Sequence, residues 1–237
     1  MKKLFYMITA LFLFVQMTAF SYSDIQDSKL SNAALTLSGF GIINGYEDGS
    51  FRPNNNITRA EFAKIITLAA NIENNMPTEY GSFTDMTGAE WAEEYIYIAK
   101  SLNIINGTEP NHFEPESHIT YEQAIKMIVA ALGYGEEAER AGGYPTGYIA
   151  QAKQLNITDG IVYAAEDYAT RGNIALMIEN ALQAPCYNIW LDEGSVQRQK
   201  ADLTLSEQHK IMQELDKVQI QEPLPGEWDN DSKIGVG

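Results

Sequence analysis

The strongest constraint on the fold of this 237-residue chain is an internal repeat. Residues 42–45 and 104–107 both read Ile-Ile-Asn-Gly, and the same shift of 62 positions aligns Phe51 with Phe113 without a gap. A weaker third copy follows at shifts of 53 and then 50 positions, so its loop is three residues shorter. Repeats of this length indicate small units that cannot bury an apolar face alone, so the three must pack together.

The repeat divides the chain into three units, which we place at residues 24–72, 83–134 and 142–184. Each unit is predicted to form a helix, a loop and a second helix. The second helices carry apolar residues at positions i, i+3, i+4 and i+7, the spacing of a single buried helix face. These residues are Phe62, Ile65, Ile66 and Ala69, then Ala124, Met127, Ile128 and Ala131, then Ile174, Met177, Ile178 and Ala181.

The starts of two of these helices are marked in the sequence. Thr58 with Glu61, and Thr120 with Gln123, have the spacing of a capping box, in which each side chain satisfies a backbone N–H of the other residue. The first helices should end at Gly41, Asn103 and Asn156, because these residue types allow the chain to turn. The predicted fold class is therefore mainly α.

The N-terminus is predicted to be a secretory signal peptide covering residues 1–23. Two lysines precede the apolar run 4–15, and these 12 residues are too few to cross a bilayer, which takes about 20. Small residues follow at Ala19, Ser21 and Ser23, which favours cleavage near Ser21–Ser23. The mature protein is then expected outside the cell membrane.

Composition excludes several classes of function. The chain has 16 Lys and Arg against 32 Asp and Glu, a formal charge of −16, which argues against nucleic acid as a partner. One cysteine and three histidines leave little material for a zinc or iron site, and we predict no metal and no cofactor. His112, His118 and His209 are interpreted as solvated surface residues. No hydrolase or phosphate-binding motif is present, so an enzyme is not expected.

Four segments carry a family resemblance: Phe83-Thr84-Asp85, Trp91-Ala92, residues 41–53 and residues 57–62. Together they resemble S-layer homology repeats, over about residues 24–184. The resemblance implies three repeats in a pseudo-threefold arrangement, with one helix of each forming a central three-helix bundle. It also implies a secreted protein of the cell surface that anchors non-covalently to a secondary cell wall polysaccharide, commonly one carrying pyruvylated N-acetylmannosamine.

Arg59 and Arg171 are the main candidates for binding such an acidic polymer. Each follows a capping threonine, in a first helical turn where free N–H groups and the helix dipole favour an anion. A guanidinium adds a two-pronged donor for the carboxylate of a pyruvyl ketal. Without the resemblance, an ion pair of Arg59 with Glu61 or Asp48 would be the simpler interpretation.

Five further residues complete the candidate site. Gly45 and Gly107 permit close approach of a sugar to the backbone, or are only turn glycines. Trp91 is suited to stacking on a sugar face, or is a core residue near a helix start. The remaining candidates come from the motif that carries the resemblance and are Asp48 and Glu61.

Departures from the family pattern reduce the expected number of sites. Tyr121 stands where the second unit should carry arginine, Asn173 replaces the capping-box glutamate of the third, and Lys29 stands at the first-unit equivalent of Trp91. Tyr121 carries no positive charge at neutral pH. We therefore expect one or two competent grooves rather than three.

Residues 185–237 are predicted to form an amphipathic helix, over about residues 203–220, followed by an acidic tail. Thr204 or Ser206 is the expected cap. We favour a helix that packs on the repeats or serves as a tether, with a docking segment at residues 204–220 for an envelope protein as the alternative. The alternative function for the whole chain is accordingly an envelope protein–protein scaffold with degenerate sugar sites.

Overall fold

The computed structural model describes residues 22–72 and 83–221, and the side chains of residues 216–221 are not part of that description. Most of the predicted signal peptide and the acidic tail lie outside these ranges. The described secondary structure is mainly helical, as predicted. The helices are α1 (Ser28–Gly39), α2 (Arg59–Ala69), α3 (Glu93–Ser101), α4 (Tyr121–Ala131), α5 (Gly135–Arg140), α6 (Thr146–Gln154), α7 (Arg171–Leu182) and α8 (Leu205–Gln221), with a 3₁₀ turn at Glu90–Ala92 before α3.

The second helices α2, α4 and α7 begin where the capping signals place them. Thr58 accepts a hydrogen bond from the N–H of Glu61 at 3.1 Å, and the Glu61 carboxylate accepts one from the N–H of Thr58 at 2.8 Å. Thr120 and Gln123 repeat this arrangement, and Thr170 caps α7. All twelve residues of the predicted apolar stripes are buried, which confirms the helical spacing.

The first helices α1, α3 and α6 end in left-handed turns, as predicted. Gly41 has φ of 73°, and Asn103 and Asn156 both have φ of 59°. Asparagine tolerates this region because its short polar side chain bonds locally.

The helices of consecutive units interlock. Each first helix packs against the second helix of the preceding unit, α3 on α2 and α6 on α4, and α1 packs on α7 of the third unit. The second helices α2, α4 and α7 each contact the other two. The first unit is therefore in contact with the last.

Backbone hydrogen bonds join the same three units in a closed ring just before the second helices. The N–H of Ile57 donates to the carbonyl of Ala169 at 3.1 Å, that of Ala169 donates to Ile119 at 2.8 Å, and that of Ile119 donates to Ile57 at 3.1 Å. Ile57, Ile119 and Ala169 are fully buried. The three loops thus meet at one point in the core.

A β-hairpin follows the third unit and was not predicted. Strands β1 (Tyr187–Asp192) and β2 (Ser195–Lys200) pair antiparallel, with Asp192 opposite Ser195. Glu193 and Gly194 form the two-residue turn and both have positive φ, 47° and 77°, which matches the right-handed twist of the strands.

Helix α8 packs on the repeats through its first turns, as we favoured. Thr204 is its cap, because its backbone N–H donates to the Glu207 carboxylate at 2.8 Å. Leu205, Ser206 and His209 are buried. The expectation of a solvated His209 is therefore wrong: its ring stacks on Phe40, and its Nε2 lies 3.0 Å from the carbonyl of Ala69.

Candidate functional site

Arg59 reaches from the first turn of α2 into the loop of the second unit. Its Nε donates to the carbonyl of Phe113 at 2.8 Å, its Nη2 to the carbonyl of Asn106 at 3.3 Å, and its Nη1 to the Gln123 side chain at 3.4 Å. The guanidinium also lies 4.7 Å from the centre of the Phe113 ring. Its described polar partners are therefore neutral groups, not Glu61 or Asp48, and two of its five N–H groups remain for a ligand.

The backbone N–H groups at the helix starts are already used. The N–H groups of Arg59 and Ala60 donate to the carbonyls of Ser117 and Pro115, both at 2.9 Å. At α7, Arg171 and Gly172 make the equivalent bonds with the first loop. The expectation that free N–H groups at these helix starts receive the anion is therefore wrong, and side chains are the donors that remain at these positions.

A cavity of about 310 Å³ opens beside the Arg59 guanidinium, and we call it the Arg59 cavity. This volume lies at the lower end of the range for small-molecule sites. The residues around it come from all three units and from α5. They are Arg59, Ile105, Asn106, Gly107, Thr108, Gln123, Lys126, Met127, Glu139 and Tyr144.

Lys126 supplies a second cation to the Arg59 cavity. Its Nζ donates to the carbonyls of Ile104 at 2.7 Å and Asn103 at 3.3 Å. Burial lowers the pKa of Lys126 to about 8, although the nearby Glu139 carboxylate favours the charged form. The ammonium group is therefore charged at neutral pH, with one N–H left for a ligand.

Tyr144 forms an aromatic wall of the same cavity. Its hydroxyl donates to the Glu122 carboxylate at 2.9 Å, and about half of the residue is exposed. Burial and this carboxylate raise the pKa of Tyr144, so it stays neutral. A neutral, half-exposed ring held by its hydroxyl is suited to stacking on a sugar.

Arg171 repeats the geometry of Arg59 between the third and first units. Its Nε donates to the carbonyl of Phe51 at 2.9 Å and its Nη2 to the carbonyl of Asn44. The guanidinium lies 4.8 Å from the centre of the Phe51 ring. Arg171 is buried like Arg59, and its two carbonyl partners are equivalent to two of those of Arg59.

Trp91 does not line the Arg59 cavity. The repeat shifts make Trp91 the equivalent of Tyr144, and Lys64 the equivalent of Lys126. The Lys64 Nζ lies 6.0 Å from the centre of the Trp91 ring. Half of Trp91 is exposed, so the interpretation as a buried core residue does not hold.

We number the interfaces by these residues: Arg59 lies at the first interface, between the first and second units, and Arg171 at the second, between the third and first. At the third interface, between the second and third units, Tyr121 replaces the arginine and is bonded within the protein. Its hydroxyl accepts hydrogen bonds from the Asn173 side chain at 2.7 Å and from the N–H of Thr170 at 3.3 Å. Leu176 stands at the position of Lys126, so neither of the two cations is retained at those positions. The substitutions at 121 and 173 therefore fit one another.

The two candidate glycines have structural roles. A side chain at Gly45 would overlap the ring of Tyr22, whose hydroxyl receives the N–H of Gly45 at 3.1 Å. At Gly107 an added Cβ would lie 2.9 Å from the ring of Phe83. Gly107 also lines the Arg59 cavity, whereas Gly45 lines a separate one.

Asp48 and Glu61 are occupied by local contacts. Asp48 accepts hydrogen bonds from the backbone and side chain of Ser50 and pairs with Arg52 at 3.0 Å. These bonds, with the Ser50 hydroxyl as the largest cause, lower the pKa of Asp48 to about 2. Glu61 closes the capping box of α2. Both residues shape the motif without facing the Arg59 cavity.

Sequence reasoning missed Asn106, Gln123, Lys126, Glu139 and Tyr144. One signal was available, because the shift of 53 positions that relates the second and third units carries Trp91 onto Tyr144. Glu139 gave no such signal, since it lies on α5, between two units.

Across the described residues, no group of three or more His, Cys, Asp or Glu side chains is placed to hold a metal ion. In the same part of the chain, none of the helices has both the length and the apolar character needed to cross a bilayer.

Comparison with known proteins agrees with the repeat pattern. Residues 21–63 and 82–125 match the S-layer homology domain family. The chain is 33% identical to the middle cell wall protein of Brevibacillus brevis over 159 residues, 66% of this chain and 15% of that protein. It is 31% identical to the surface layer protein of Brevibacillus choshinensis over 183 residues, 74% of this chain and 16% of that protein.

Similarity also extends to a protein named for an enzyme. An amylopullulanase of Thermoanaerobacterium thermosulfurigenes is 29% identical over 190 residues, which are 72% of this chain and 10% of that protein. The chain spans only a small part of each of these relatives, so the similarity concerns a shared module.

Proposed function

We propose that this chain, which carries S-layer homology domains, anchors at the cell wall by binding an acidic secondary cell wall polysaccharide. A location at the cell surface is supported by the family and by the cell wall and surface layer proteins among the relatives. The chemistry of the ligand is the part that we infer from the geometry.

The observation that carries the proposal is the pairing of Arg59 with Lys126 in one cavity. Both cations are fixed by protein carbonyls, and each retains N–H groups that no carbonyl uses. Charge-assisted bonds to a carboxylate are about twice as strong as neutral ones. A pyruvyl ketal presents such a carboxylate rigidly on a sugar ring, which is the chemistry that these two donors favour.

The rest of the Arg59 cavity suits the sugar itself. Tyr144 offers an aromatic face, and the Asn106 and Gln123 groups and the Glu139 carboxylate offer hydrogen-bond partners for hydroxyl and acetamido groups. Because the cations lie within the cavity, they outweigh a net charge of −16 that ordinary salt screens beyond about 10 Å.

We propose that two of the three interfaces bind polymer. The second interface has the same residue types as the first, an arginine, a lysine and an aromatic residue. They are Arg171, Lys64 and Trp91, in place of Arg59, Lys126 and Tyr144. The third interface, with Tyr121 and Leu176, lacks them. We also propose a pseudo-threefold arrangement of the units around a bundle of α2, α4 and α7, supported by the closed ring of hydrogen bonds.

The experiment is retention of the mature chain on isolated sacculi, with and without prior removal of their polymer by acid. Wild-type protein should bind only untreated sacculi, and Lys126→Ala together with Lys64→Ala should abolish most binding. Arg59→Ala and Arg171→Ala should do the same, with thermal unfolding measured because both side chains are buried. Arg52→Ala is the matched control, since Arg52 is an exposed arginine that pairs with Asp48.

Equal retention on treated and untreated sacculi would exclude polymer binding, as would retention of the Lys64→Ala/Lys126→Ala variant at the level of wild type. The second candidate function, a scaffold for an envelope protein, is supported by Ile211, Met212 and Leu215, which are exposed on α8. A scaffold should lose its partner when these three residues become serine, while sacculus binding is unchanged.

We place cleavage of the predicted signal peptide between Ser21 and Tyr22. Tyr22 is buried, its ring lies 5.1 Å from that of Phe51, and its hydroxyl bonds to Gly45. Cleavage after Ser23 would remove this contact, so the first unit would begin at Tyr22 rather than Asp24. The intact mass of the secreted chain tests this, and a mass corresponding to a start at Asp24 would contradict it.

A further inference from the structure

A second, larger cavity of about 1010 Å³ adjoins the Arg59 cavity. Asn106, Lys126 and Glu139 line both, so the two cavities are direct neighbours, and we refer to them together as one groove. The far side of the second cavity is formed by the β-hairpin, through Ile189, Val196 and neighbouring residues. The hairpin lies after the third unit and outside the residues that match the family.

The hairpin is held firmly enough to act as a wall. Arg198 donates to the carbonyl of Gly133 at 2.6 Å and to the carboxylates of Glu137 at 2.7 Å and Glu136 at 2.8 Å. The N–H of Tyr187 donates to the carbonyl of Leu132 at 2.9 Å. These contacts attach the hairpin to the end of α4 and to α5.

The same contacts determine the charge of the second cavity. Arg198 and Arg140 both pair with Glu136 and Glu137, so these four charges are balanced within the wall. The Tyr148 hydroxyl donates to Glu139 at 2.9 Å, so this carboxylate is also bonded within the lining of the second cavity. Lys126 is the cation shared with the Arg59 cavity.

We propose that the hairpin half of this groove is a second subsite, which holds uncharged pyranose units of the polymer next to the acidic unit in the Arg59 cavity. Charges balanced within the wall, together with the uncharged polar groups of Asn103, Asn106 and Ser195, favour sugar rings without a carboxylate. Arg59 and Lys126 favour the acidic unit. The subsite rests on the proposed function, because it extends the same groove. With this subsite, the chain binds several consecutive sugar units of the polymer rather than one.

The test uses polymer fragments released from sacculi and separated by length, with binding measured by calorimetry. Arg171→Ala is introduced throughout, so that a long fragment cannot bridge two grooves. Fragments with several repeating units should bind on the order of tenfold more tightly than single units. Val196→Trp, or Ser195→Trp at an exposed cavity residue, should remove this gain and leave single-unit binding unchanged.

Gln197→Trp is the matched control, since Gln197 is exposed and does not line the cavity. Equal affinity for short and long fragments would overturn the subsite, as would an equal loss of the affinity gain in Gln197→Trp. In both cases, the proposed function stands if short fragments still bind in a manner that depends on Arg59. If no fragment binds, or if Arg59→Ala binds like wild type, the proposed function fails and the subsite fails with it.

Discussion

Arg59, Tyr121 and Arg171 occupy the same place in consecutive units, one residue after a capping threonine, and their side chains meet different partners. The two arginines bond to carbonyls of the next loop, and Tyr121 bonds to Asn173. Burial lowers the pKa of Arg59, but the guanidinium remains charged in any ordinary buffer. Each arginine therefore joins two units, and in the proposed function the same group also presents a cation to the polymer.

Lys126 should make binding in the Arg59 cavity dependent on pH. Because burial lowers its pKa to about 8, the free protein loses this charge as the pH rises through that value. Affinity for a carboxylate-bearing fragment should fall between pH 7 and pH 9.5, measured by calorimetry in the Arg171→Ala background. Lys126→Arg keeps its charge over this range and should show a flat profile. Parallel profiles for the two proteins would contradict the assignment.

Gly45 should tolerate no side chain. Alanine would overlap the Tyr22 ring, and overpacking of this kind costs about 1–3 kcal/mol. Gly39→Ala is the control, since an added Cβ there meets nothing within 4 Å and it lies in the last turn of α1. That change should be neutral or stabilising by up to about 1 kcal/mol. Urea denaturation measures both, and equal stabilities would show that Tyr22 yields its position.

The helices were predictable because their sequence signals, the capping residues and the apolar stripes, are local. Thr58 and Thr120 each carry their capping partner three residues later, and the stripes of α2, α4 and α7 repeat at helical spacing. Glu193-Gly194 is a weak hairpin signal, because glutamate rarely takes positive φ, so β1 and β2 were missed. Their position depends on Arg198 meeting Glu136 and Glu137, a contact across about 60 residues.

Acid should weaken the contact between the hairpin and α5. The Arg198 guanidinium holds the pKa of Glu137 below its ordinary value of 4.5. A lowered carboxyl pKa stabilises the docked state above about pH 4.5, and this contribution is lost as the pH falls through the lowered pKa. The indole signal of Trp190 on β1, followed by NMR from pH 7 to pH 3, should report the change. In Glu137→Gln the step should be absent, and an unchanged titration there would exclude this pair as its origin.

The candidate site depends on contacts that no single unit contains. The Arg59 cavity takes its cation from α2, its second cation from α4, and its aromatic wall from the segment before α6. The repeat pattern predicted which residues are equivalent. It did not predict that Arg59 faces the second unit, because that direction follows from the order in which the units pack.

The proposed number of polymer sites is two, because two of the three interfaces between units carry an arginine and a lysine. Calorimetry with single-unit fragments should give two sites per chain, with Arg59→Ala or Arg171→Ala leaving one. Tyr121→Phe should keep both, because the third interface has neither cation. A stoichiometry of three in wild type, or a lost site in Tyr121→Phe, would show that a groove without arginine binds.

The bond from Ile57 to Ala169 ties the first unit to the last, and this has a mechanical consequence. In a linear array of repeats, each unit contacts only its neighbours, so tension opens the weakest terminal unit first and the rest in turn. Here each of the three units is held at two interfaces, and none has a free side from which peeling can begin. A wall anchor built this way should rupture in a single step under load, as a closed link does, rather than unravel.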